Sequence, residues 1–150
     1  MMASLAALED VRLIDFKALG AEDRSLVAIE AASAAFPLPI GRVFTVVAHR
    51  AGVVGGEHAH RRCTQLLVAV HGAVEVRVLA DPERPDTRRT FHLSHPNQGV
   101  LVPPGIWGYQ RYEQAGSVLM VLCDRPYEAD DYIRDFNEFR TWRAGASMLA

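Results

Sequence analysis

At 150 residues, 49% of them hydrophobic and 23% charged, the chain suits one domain, residues 1–150, with a buried core, and is too apolar for disorder. Its formal net charge of −2 leaves no basic excess, which argues against nucleic-acid binding through charge. No apolar run approaches the roughly 18–20 residues of a bilayer-spanning helix, so no membrane partner is expected. Lys17 is the only lysine, so the positive charge is almost all arginine, whose planar forks can grip phosphate.

The N-terminus, Met1 to Asp10, lacks a basic stretch and soon turns acidic, which speaks against a secretory signal. Short β-like runs follow, separated by turn signals. They are expected near Val11–Phe16, Ser25–Ala31, Arg42–Ala48, Glu57–Cys63, Gln65–Val70, Ala73–Leu79, Thr90–Leu93, Val100–Val102, Trp107–Arg111 and Ser117–Cys123. His71-Gly72 marks a tight turn, and Asp81 to Asp86 is a polar, proline-bearing loop at a hairpin tip. Between Glu128 and Arg143 the apolar spacing turns helix-like, predicting a short helix or irregular turns on the outside, with fraying from Gly145 to Ala150. The expected architecture is all-β, a jelly roll or double-stranded β-helix with a short C-terminal helix or turn region.

One motif carries chemistry. In Gly56-Glu57-His58-Ala59-His60 the two histidines alternate onto one face of a strand, roughly 6–7 Å apart. Such a pair can hold a metal or move protons. The plain alternative is two ordinary histidines, less natural for a pair with small Ala59 between them. His49, His71, His92 and His95 are the remaining imidazoles that could complete a metal site. Cys63 and Cys123 have no metal-like spacing and read as buried free thiols of a cytoplasmic protein.

His58-x-His60, Gln65 and Gly72 resemble the first motif of the cupin superfamily, and Gly99 to Gly108 resembles the second. Metal-binding cupins usually carry Glu where this chain has Gln65 and a third histidine about where it has Gly108. Two neutral imidazoles alone make a weak site, so no metal and no cofactor is expected. The resemblance sharpens in Gly41-Arg42-Val43-Phe44, Gly56 to Arg62, Gln65 to Gly72, Val102 to Trp107, Ser117 to Leu122, and Tyr127 to Phe136 with its Asp131-Tyr132-Ile133-Arg134-Asp135 run. With these segments the chain resembles the dTDP-4-keto-6-deoxyglucose 3,4-ketoisomerases of deoxysugar biosynthesis. That resemblance implies a metal-free, homodimeric cupin acting on a nucleotide-linked keto sugar. It implies that His58 and His60 are the catalytic pair, and that arginines and a tryptophan near the pocket hold the nucleotide. Two departures leave the exact sugar open. The family usually has tyrosine in the strand that here reads Phe44 to Val47, and arginine where this chain has Gly55.

Moving a ketone to the next carbon needs a base at carbon 3, an acid at carbon 4 and a donor for the oxyanion. One histidine is the base, with His58 favoured, and the other shuttles the proton or polarises the carbonyl. Arg42 is a candidate for the pyrophosphate, or else a surface ion pair. Trp107 either stacks on thymine or packs in the core. Gln65 faces the pocket. Arg62 shares strand parity with the histidines and turns inward if no bulge intervenes. Tyr109 and Arg111, on one face of their strand, are further substrate-binding candidates. Competing readings are a noncatalytic or sensory cupin that binds a sugar nucleotide, and a metal-dependent cupin enzyme. Exposed strand edges and the apolar N-terminal strand add to the case for a homodimer, with strands exchanged or not.

Overall fold

The computed structural model describes residues 5–149; Met1 to Ser4 and Ala150, and with them part of the N-terminal reading and the last of the fraying segment, lie outside the described residues. The strands in chain order are β1 (Arg12–Asp15), β2 (Ala18–Gly20), β3 (Ser25–Val27), β4 (Arg42–Val47), β5 (Val54–His60) and β6 (Gln65–His71). They continue as β7 (Val74–Leu79), β8 (Arg88–Leu93), β9 (Gln98–Val102), β10 (Trp107–Tyr112), β11 (Val118–Cys123) and β12 (Tyr132–Ile133), before a helix α1 (Phe136–Leu149).

Two five-stranded antiparallel sheets face each other in the jelly-roll arrangement, in the orders β1-β9-β6-β11-β4 and β12-β5-β10-β7-β8. Period-2 alternation sends Val74, Val76 and Val78 of β7 toward Leu67, Leu119 and Val121 of the opposite sheet, forming the main core. His71-Gly72 turns β6 into β7. Gly72 has φ +74° and lies against Ser117, so a side chain there would be both strained and crowded. The Asp81–Asp86 loop joins β7 to β8, its antiparallel partner.

The outer face of the first sheet is covered by the segment after β3. Phe36 is fully buried there against Leu66, Val68 and Leu122. The outer face of the second sheet is covered by α1, whose fully buried Phe139 packs on Ala59 and Ile133. No helix among the described residues is long and apolar enough to cross a membrane.

Two expectations need correction. β2 and β12 had no counterpart in the pattern, because two or three residues are too few to display period-2 alternation; β12 exists because the edge of β5 offers it a partner. The third strand stops at Val27 rather than Ala31. The C-terminal segment is a helix of 14 residues that runs on through Gly145 to Leu149; an exposed glycine costs a helix only about 1 kcal/mol, and the buried side of α1 outweighs that.

Phe139→Ala would leave a cavity under α1. The expected loss of stability is about 3–5 kcal/mol by denaturant unfolding. A loss below about 1 kcal/mol would show that the helix is not fastened through this ring.

Candidate active site

β5 presents His58 and His60 to the space between the sheets and Glu57 and Ala59 to the other side. The two imidazoles touch through their Nε2 atoms at 3.1 Å, with ring planes 84° apart. His60 Nδ1 lies 2.7 Å from Oδ2 of Asp131, a carboxylate that is 2% exposed. The other oxygen of Asp131 accepts the Arg62 backbone N–H at 2.6 Å.

This chain of contacts fixes protons. A carboxylate only accepts, so His60 carries its proton on Nδ1 and leaves a lone pair on Nε2. The 3.1 Å contact then needs a proton on His58 Nε2, donated to His60. Burial, the neighbouring His60 and the Arg134 charge push His58 down from 6.5 to about 4. Burial also lowers His60, opposed by the hydrogen bond and charge of Asp131. Both rings are neutral near pH 7.

The chamber around them is lined by His58, His60, Gln65, Val102, Gly108 and Gln110, and leaves about 20 Å³, room for about one water. Gln65 donates from Nε2 to Cys123 Sγ at 3.5 Å. The Gln110 amide fills the space beside Gly56, where a Cβ would lie 2.1 Å from its Oε1. Tyr132, next to His60 in register, lays its ring 4.4 Å from His60 and 5.1 Å from His58. Cys63 and Cys123 are buried free thiols.

The remaining candidates spread out. Arg42 faces inward from β4, over Phe44 at 4.6 Å and Tyr127 at 5.1 Å, and donates to Tyr132 Oη at 3.4 Å. Arg62 lies beyond the end of β5, where the strand parity lapses, and its guanidinium pairs with Glu128 and Asp130. Trp107 and Tyr109 occupy the outer face of β10. There Trp107 meets Phe136 and Phe139 of α1, and both line an outer hollow of about 350 Å³ with Arg77. Tyr109 Oη accepts from Arg77 at 3.0 Å. Arg111 is exposed near Gly52. The residues that sequence reasoning missed in the chamber and at its mouth are Gln110, Asp131, Tyr132 and Arg134. Gln110 was within reach of parity: if position 108 faces inward, so does 110.

For a metal, the chamber offers two imidazoles and neutral amides, and Gly108 supplies no donor. His60, Cys63 and Asp131 bring three donor atoms within 4.8 Å, but His60 and Asp131 already bond each other. Glu75, His92 and Glu113 form a second such group among the described residues, away from the chamber on β7, β8 and the end of β10.

Residues 9–144 match the family model described as FdtA, WxcM-like, C-terminal. The chain belongs to the FdtA family. It is 32% identical over 137 residues to the TDP-4-oxo-6-deoxy-α-D-glucose-3,4-oxoisomerase of Aneurinibacillus thermoaerophilus, covering 91% of this chain and 95% of that one. Among solved structures it is similar to QdtA, a sugar 3,4-ketoisomerase from Thermoanaerobacterium thermosaccharolyticum in complex with TDP. The TM-score is 0.82 at 27% identity, covering 90% of this chain and 95% of that one. A histidine-to-asparagine variant of QdtA is solved in complex with TDP-4-keto-6-deoxyglucose, again at TM-score 0.82 and 27% identity, covering 90% and 94%. A 3,4-ketoisomerase from Helicobacter canadensis matches with TM-score 0.82 and 27% identity, covering 90% and 98%.

The lowered histidines make stability depend on pH. Between about 6.5, where an unfolded histidine titrates, and about 4, the unfolded chain binds more protons than the native one. Stability therefore rises with pH across that window and is lost as pH falls through it. Urea unfolding at about pH 7.5 and about pH 5 should show the drop, and His58→Asn should flatten it. An identical slope in wild type and variant would mean that His58 titrates normally.

Proposed function

We propose that this chain moves the keto group between carbons 4 and 3 of a TDP-linked 4-keto-6-deoxyhexose, with His58 and His60 carrying the proton. Family and relatives make it a 3,4-ketoisomerase of deoxysugar biosynthesis. The observation that carries the residue assignment is the chain from His58 through His60 to Asp131.

That chain supports His60, rather than His58, as the base. Once bound sugar displaces the His58 N–H from it, His60 Nε2 takes the proton from carbon 3, and the ring becomes cationic beside a buried carboxylate that steadies it. The electron pair left behind forms the carbon 3–carbon 4 double bond and moves the carbonyl electrons onto the oxygen at carbon 4. Gln65 and Gln110 are the amide donors for that oxygen. The proton is then delivered to carbon 4, with His58 as shuttle. The hydroxyl at carbon 3 loses its proton, and the oxygen at carbon 4 gains one on the way to the new hydroxyl. Substrate and product are isomers, so no redox partner is needed. Arg42 is assigned to the nucleotide's phosphates. Trp107, held between β10 and α1, is assigned to packing rather than to the thymine ring. Tyr109, in the outer hollow, and Arg111, exposed near Gly52, are left as the weaker substrate contacts, and Arg62 acts through the loop that holds Asp131.

The chain works as a homodimer in this reading. The β2–β3 hairpin pairs with no other strand among the described residues and exposes Leu19 and Leu26, while the β4 edge exposes Val43 and Val47. A lone two-stranded hairpin is marginal in water, which favours its docking on a second copy.

Proton exchange at carbon 3 in deuterated water, followed with TDP-4-keto-6-deoxyglucose, tests the chemistry. His58→Asn and His60→Asn should each lower turnover by about 10²-fold or more, and Asp131→Asn by about 10-fold or more. Wild-type rates in both histidine variants would remove the pair from the mechanism. Wild-type protein that binds TDP but exchanges no proton with a panel of 4-keto sugars would favour the binding-protein reading.

Sedimentation of the wild type should give a dimer, and Leu26→Glu should shift it toward monomer. A wild type that sediments as monomer at micromolar concentration would end the dimer assignment.

A further inference from the structure

We infer that Arg134 is a second phosphate-binding arginine, which together with Arg42 and Tyr132 forms a clamp for the pyrophosphate of a nucleoside diphosphate at the mouth of the histidine chamber. This rests on the 3,4-ketoisomerase reading and adds a residue that the sequence motifs had not singled out for binding. The geometry begins with strand parity. Tyr132 pairs with His60 and Ile133 with Ala59, so Tyr132 shares the chamber side with the histidines, while Ile133 lies against α1. Alternation returns the next residue, Arg134, to the Tyr132 side. Its guanidinium indeed stacks over the Tyr132 ring at 4.2 Å, and its charge reaches both histidines.

Arg42 comes to the same ring from the opposite sheet, with a 3.4 Å hydrogen bond to Tyr132 Oη. In register, Arg42 is the partner of Cys123, and Cys123 is the partner of Gln65. Arg42 therefore belongs to the row that reaches the chamber floor at Gln65. Two cations from opposing sheets thus converge on one tyrosine whose ring packs against the catalytic pair.

The charge balance points to a missing anion. The arginines around this mouth are held by acids: Arg61 by Glu138, Arg62 by Glu128 and Asp130, and Arg125 by Glu128. Among the described residues, neither Arg42 nor Arg134 has a carboxylate within ion-pair distance; their contacts are aromatic rings and one tyrosine hydroxyl. An exposed guanidinium resting on an aromatic face keeps its donor edges free, the geometry that accepts phosphate oxygens bidentately. A doubly charged pyrophosphate matches two such forks better than a single carboxylate would. The chamber has room for about one water, so the bulk and charge of a nucleotide must stay at the mouth, where these forks are.

The test is titration calorimetry of full-length protein with TDP, inorganic pyrophosphate and thymidine. Arg134→Ala should weaken TDP by about tenfold or more, weaken pyrophosphate in parallel and leave thymidine unchanged, with Arg134→Lys recovering part of the loss. KM for the keto sugar should rise with the TDP dissociation constant. Arg140→Ala removes an equal charge from the far helix and should bind TDP as wild type does. TDP binding that survives Arg134→Ala intact, in a wild type that does bind TDP, overturns the clamp alone. A wild type that neither binds TDP nor exchanges the carbon 3 proton overturns the clamp and the isomerase reading together.

Discussion

Much of the site depends on one buried contact, His60 Nδ1 to Asp131 Oδ2 at 2.7 Å. It decides which nitrogen of His60 carries the proton, and through the 3.1 Å contact it decides the tautomer of His58 as well. It also explains how a carboxylate at 2% exposure is tolerated. Asp131 is met by an imidazole N–H on one oxygen and a backbone N–H on the other. The same residue stitches the fold, since its carbonyl accepts the Arg61 N–H and its successors form β12 on the edge of β5. Removing it would disturb proton placement, the covered edge and the seat of Tyr132 at once.

The two sheets divide the labour. In the proposed reaction the second sheet supplies proton chemistry through β5 and its short edge strand β12. The first supplies the floor, with Gln65 on β6, and a cation, with Arg42 on β4. The helix stays outside. It presses Phe139 onto the back of β5, so the strand bearing the histidines is packed on both faces and cannot easily change its register. The proposed proton relay, over a 3.1 Å contact, needs that rigidity.

The jelly roll was legible because its long strands alternate cleanly and its turns carry Gly, Pro and Asp. The histidine pair was legible for the same reason, because a spacing of two on a strand fixes a shared face. What stayed hidden depends on distant pairing. Asp131, some seventy residues from His60, enters through a two-residue strand that no local pattern announces. Arg62 shows the opposite failure: parity counted onward from His60 puts it inward, but β5 ends at His60 and the next residues turn toward the acidic segment at Glu128. Trp107, Tyr109 and Arg111 share one face of β10, and it is the outer one. Gly108, where metal cupins place a histidine, marks the even residues as the inward set, with Gln110 next in line.

The departure at Gly55 has a visible counterpart. A bulge lies where β5 meets β10, since His58 pairs with Gly108 but Gly55 with Gln110. Gly56, at φ +70°, takes the bend, and the missing side chains leave the space to the Gln110 amide. The space beside Gly56 is therefore filled by a neutral group rather than a cation. The chamber interior holds two neutral imidazoles and two amides, while the positive charge stands at the mouth on Arg42 and Arg134. Such a field has one polarity. In the proposed reaction it draws the charged end of a nucleotide sugar to the rim and leaves the neutral sugar ring to face the histidines. On that proposal orientation comes from the rim, while Gln110 and Tyr132 shape the space around the histidines.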